Sequence, residues 1–98
     1  MFRRRIPGRD GTRPAAVAGM FYPADAAELR GQVERLLADA PLAAPPPGAH
    51  APRALILPHA GYVYSGAVAA SGYRLIDAGA FRRAVVIGPA HRVPVRGV

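Results

Sequence analysis

Apolar and polar positions alternate in three clear patterns along the chain. In "ADAAELRGQVERLLADAP", Leu29, Val33, Leu36 and Leu37 fall at i, i+4, i+7 and i+8, one stripe of an α-helix. Asp25 followed by Glu28 has the form of a capping box, and Pro41 closes the stretch. The pattern predicts an amphipathic helix of about four turns that needs a partner surface. Next, "RALILP" (53–58) and "RAVVIGP" (83–89) are short, continuously apolar runs. Such runs fit strands buried on both faces. Between them, Val68, Gly72, Leu75 and Ile76 repeat at helical spacing, with Ser65 as a candidate cap and Gly79 as a candidate C′ glycine. That helix is expected to run to about Ala78. Gly72 costs ~1 kcal/mol against alanine inside a helix, so its presence predicts a close approach to another backbone.

Strand, helix, strand at this spacing is a βαβ unit, with two parallel strands and a right-handed crossover. The remaining segments are simpler. "PAAVAGMFYP" (14–23) is a short apolar stretch closed by Pro23. "PLAAPPPGAHAP" (41–52) holds five prolines, which prevent both helix and ladder, so it reads as a stiff surface connection. His50 within it reads as an exposed loop histidine.

The topology brings two other histidines together. Ligands of open parallel sheets bind beyond the carboxyl ends of the strands. His59 follows its strand directly, and His91 follows the other after a Gly-Pro-Ala step. Parallel neighbours deliver both imidazoles to one edge, where they can converge on an ion with bonds of about 2.0–2.1 Å. Pro58 and Pro89 restrict the backbone entering each loop, and Gly61, Gly66 and Gly88 let it pass close to a bound group. Tyr62 is the better candidate for a pocket wall. Ser65 lacks the surroundings of a nucleophile, and a helix cap is its expected role. For either histidine alone, an ordinary loop residue is the commoner meaning; the symmetric pair is what points to a site. No acidic residue is placed to complete a two-histidine, one-carboxylate set.

Composition narrows the picture. The chain has 98 residues, one small domain's worth, and no cysteine, which excludes disulfides and thiolate-ligated metals within it. Its net charge is +7, carried by thirteen arginines without a lysine. Five of them lie in residues 1–13, which read as a disordered, solvated basic tail. That tail lacks interleaved aromatics and any base-reading motif, so nucleic acid is not the expected partner. No apolar run approaches the ~20 residues that span a bilayer, and no h-region follows the N-terminal arginines. The chain reads as soluble and cytoplasmic.

"PHAGYVYSG" followed by "GPAHRVPV", with "AVAGMFYP" upstream, closely resembles the Memo-like family, the group of AmmeMemoRadiSam system protein B. The likeness runs from about Arg13 to Val95. It implies the N-terminal part of an α/β sandwich like that of class III extradiol dioxygenases, incomplete over residues 14–98. By the same resemblance, His59 and His91 match two metal-pocket positions, with Fe(II) or another divalent transition metal as the implied cofactor. Ala90 stands where the family usually has serine. The family's later acidic, histidine and cysteine motifs are not in this sequence, so it reads as a fragment. Efficient turnover is not expected from two ligands, and the implied partner is the remainder of a Memo-like domain or another protein. The alternative expectation is a non-catalytic module that holds a peptide or small anionic ligand in the same pocket.

Overall fold

The computed structural model describes residues 12, 14–42 and 47–91. The expected basic tail thus lies outside the described residues except for Thr12, as do positions 43–46 of the proline-rich connection. Two helices organise what is described: α1, Ala26–Asp39, and α2, Tyr62–Tyr73.

α1 starts where its sequence says it should. The Asp25 carboxylate accepts a hydrogen bond from the Glu28 backbone N–H at 2.9 Å, satisfying one of the unpaired amides of the first turn. At the other end, Ala40 leaves the helix in an extended conformation and Pro41 follows. The Arg74 guanidinium, which enters from beyond α2, donates to the carbonyls of Ala38 and Ala40. These are orphan acceptors at the end of α1, so the arginine acts as its C-terminal cap.

α2 begins four residues earlier than a cap at Ser65 would place it. Gly61 is its N-cap and offers no side chain. The missing acceptor is non-local: the Phe21 carbonyl takes the Tyr62 backbone N–H at 2.8 Å. Ser65 is instead buried within the helix, and its hydroxyl donates to the Ala60 carbonyl at 3.1 Å. The helix also ends earlier than its apolar repeat, at Tyr73. Leu75 and Ile76 follow in tight i→i+3 turns, bonded to the carbonyls of Gly72 and Tyr73. The chain bends there because Arg74 is drawn toward the end of α1. Gly79 therefore caps no helix, and its N–H donates to the Asp77 carboxylate in a local turn.

The two helices pack on each other through their small residues. A Cβ on Gly66 would stand 3.0 Å from Leu36 of α1, so only glycine allows this approach without displacing the leucine. Ala40 and Ala70 are the buried apolar residues among those described.

The expected parallel strands do not form. Residues 53–58 and 83–90 make neither helix nor ladder, and the bridge between Ala18 and Tyr22 is the strand-like pairing among the described residues. The regular elements of the described residues are thus helices, and the expected α/β sandwich is not seen among them. The physical reason is exposure. A parallel strand needs partners along both edges and a layer on each face. Two helices supply one layer: Leu55 and Leu57 are half-buried, while Ile56 between them is fully exposed. No described helix is long and apolar enough to cross a membrane.

Candidate functional site

The two histidines meet although their strands do not pair. His59 and His91, 32 positions apart in sequence, bring their Nε2 atoms within 3.1 Å. Their ring centres are 5.2 Å apart, so the nitrogens are the near ends of the two rings, which tilt by 31°. Two elements place His59. Pro58 precedes it, and α2 starts three residues later, its first amide held by Phe21. Both imidazoles are exposed. As neutral rings they share one hydrogen bond, with one Nε2–H donating to the other nitrogen's lone pair. Two bare nitrogens at this distance also match neighbouring ligands of one ion with bonds of about 2.0–2.1 Å.

A cavity of about 580 Å³ opens beside His59, between α1, α2 and the 17–22 turn. Its walls are mostly apolar, from Phe21, Val33 and Leu36, with Tyr22 and Tyr62 at 5.6 Å between ring centres. Pro58 and Tyr62 line it. Gly61 does not; its close neighbour is the Phe21 backbone, 3.5 Å from where a Cβ would be. Gly88 and Pro89 line neither described cavity, and a Cβ on Gly88 would meet nothing within 4 Å. The reason is that the 83–90 segment has no covering layer here. His91 likewise stands outside the cavity that His59 borders.

The donor set is a pair. Among the described residues no three His, Cys, Asp or Glu side chains gather closely enough to hold a metal ion. The two imidazoles are compatible with a divalent transition metal in donor type and spacing, and would fill two of its positions. Sequence reasoning missed the parts that hold this site in place. The Phe21 carbonyl at the start of α2 is a backbone group and leaves no mark in residue type. Arg74 could have been noticed as a lone cation at the end of a helical repeat.

The sequence profile of the Memo-like protein family matches residues 13–98. The chain belongs to that family. It is 42% identical to Protein MEMO1 of Danio rerio over 83 residues, which are 85% of this chain and 26% of that protein. With Protein MEMO1 of Homo sapiens it shares 39% over 83 residues, again 85% of this chain and 26% of the relative. A MEMO1 family protein of the archaeon Ignicoccus hospitalis is 47% identical over 85 residues, 81% of this chain and 30% of that protein. The chain thus spans only about a quarter of the length of these curated relatives. No solved structure matches it.

Proposed function

We propose that this Memo-like chain supplies one arm of a divalent-metal pocket at the edge of a dioxygenase-like α/β sandwich. His59 and His91 are the two ligands it contributes. The observation that carries the reading is the 3.1 Å separation of their Nε2 atoms across 32 residues of sequence. Fe(II) or another divalent transition ion suits two imidazoles with open positions, and a bound ion would supply Lewis-acid or one-electron chemistry.

The residues of this chain have simpler tasks. The imidazoles bind through Nε2, which requires both nitrogens to be unprotonated. The early start of α2 fixes the loop that carries His59. Tyr62 and Pro58 form a wall of the adjoining cavity, where a small molecule or peptide would come to rest beside the ion. The remaining ligands belong to the remainder of a Memo-like domain. Ring cleavage does not follow from the fold, and two ligands alone are not expected to give efficient turnover. A reducing cytoplasm, in which ferrous iron persists, is the compartment this reading implies.

Anaerobic calorimetric titration of Fe(II) into the chain tests the proposal. Measurable binding that disappears in the His59→Ala/His91→Ala variant supports it. Unchanged affinity in that variant overturns it and leaves the non-catalytic peptide- or anion-binding module in its place.

A further inference from the structure

Ser65 uses its hydroxyl outside its own helix. A serine within a helix commonly donates to a carbonyl three or four residues back, as Ser71 does to the Val68 carbonyl at 2.6 Å. Ser65 instead reaches five residues back, to the Ala60 carbonyl at 3.1 Å. Ala60 precedes the N-cap Gly61 and directly follows His59. The nearer carbonyl, that of Gly61, is already taken by the Tyr64 and Ser65 backbone N–H groups at 2.9 and 3.1 Å. Ser65 is buried, and the adjacent Gly66 packs on Leu36 of α1, so the donor stands where the two helices meet. The loop it holds is exposed at His59 and Ala60. On the other side of Gly61, the Phe21 carbonyl holds the Tyr62 N–H at 2.8 Å. Two bonds therefore bracket the turn that carries His59 into α2, and Ser65 supplies the one made by a side chain.

We infer that Ser65 is a positioning residue for His59: through the Ala60 carbonyl, its hydroxyl sets where the His59 imidazole stands against His91. The inference rests on the two-histidine reading above and names what aims one of the two ligands. A ligand is placed only as precisely as the groups behind it are locked, and burial locks this serine. Groups that orient a metal ligand are commonly worth about tenfold to a hundredfold in affinity. The Ala60 carbonyl belongs to an exposed residue, so water can replace the serine there. Losing the hydroxyl thus frees the loop while α2 keeps its backbone bonds.

Four forms of the chain test this: wild type, Ser65→Ala, Ser65→Thr and Ser65→Val. Threonine keeps the hydroxyl, and valine has threonine's shape without it. The first readout needs no metal. In EDTA, ring protons of His59 and His91 should give a mutual nuclear Overhauser cross-peak in wild type and Ser65→Thr. It should be several-fold weaker in Ser65→Ala and Ser65→Val, with helical circular dichroism alike in all four. The second readout is anaerobic Fe(II) calorimetry, in which Ser65→Ala and Ser65→Val should bind about tenfold or more weakly and Ser65→Thr should not. A wild type without the cross-peak, or a cross-peak unchanged by Ser65→Ala, would overturn the inference. So would Ser65→Thr no better than Ser65→Val, or a loss that comes with loss of helix, which would make the serine a packing residue only. If wild type binds no Fe(II), the metal reading fails by itself, and the cross-peaks in EDTA still decide whether Ser65 places His59.

Discussion

Gly72 of α2 lies directly against Leu57, with no room between them for a side chain on the helix. The contact ties the second helix to the segment that ends in His59. Alanine at this position therefore has two opposed effects. It gains ~1 kcal/mol of helix propensity and loses about 1–3 kcal/mol to overpacking against the leucine. We expect Gly72→Ala to destabilise the chain. In a Leu57→Ala background the obstacle is gone, and the same substitution should stabilise it by up to ~1 kcal/mol. Urea unfolding followed at 222 nm measures both legs of the cycle. The same sign in both backgrounds would show that the packing contact is not what glycine serves.

Arg74, two residues beyond Gly72 at the same end of α2, couples the two helices by donating to the carbonyls of Ala38 and Ala40. Removing it leaves acceptors at the end of α1 without a partner, while the rest of that helix is untouched. Arg74→Ala should cost about 1–2 kcal/mol. Arg74→Lys should recover only part of this, since a lysine lacks the planar fork that reaches two carbonyls. Hydrogen exchange locates the effect. Amides near the C-terminal turn of α1 should lose protection and those of its first turn should not. Uniform loss along α1 would assign Arg74 a general packing role.

α1 was legible from sequence because its determinants are local. Asp25, Glu28 and the leucine stripe lie within one helix, and the proline that ends it follows directly. α2 was legible in position but not in its ends. Ser65 has the residue type of a cap, yet the helix starts four residues earlier with the Phe21 carbonyl at its first amide, and a backbone carbonyl carries no signature. The end at Tyr73 depends on where Arg74 finds acceptors, which is a tertiary matter. The apolar runs 53–58 and 83–89 show strand character in composition, but a parallel ladder is a property of neighbours. His59 and His91 approach each other without the sheet edge from which their convergence was expected. Gly88 and Pro89 line neither described cavity, and a Cβ on Gly88 would meet nothing within 4 Å.

The cap on α1 makes a separate prediction. Asp25 accepts from the Glu28 amide, so Asp25→Ala should cost ~1 kcal/mol in urea unfolding. Asp25→Asn keeps the accepting oxygen and gives up only the interaction of charge with the helix dipole, a few tenths of a kcal/mol. If asparagine were as damaging as alanine, the carboxylate charge rather than the hydrogen bond would be the stabilising element.

The histidine pair offers the most direct test of chemistry without turnover. Both rings are exposed, so His59→Ala and His91→Ala should change metal-free stability by about 0.5 kcal/mol or less. A divalent ion that binds the folded chain adds stability by mass action, about 2.7 kcal/mol at a hundredfold excess over Kd. For a chain this small, that raises the thermal midpoint by roughly 10 °C or more. The rise should be largely absent in either single variant, because an ion held by two donors has little hold on one. Chelator should restore the metal-free midpoint of the wild type. Equal shifts in wild type and both variants would place the ion elsewhere on the chain and remove the support that the 3.1 Å nitrogen separation gives to a shared site.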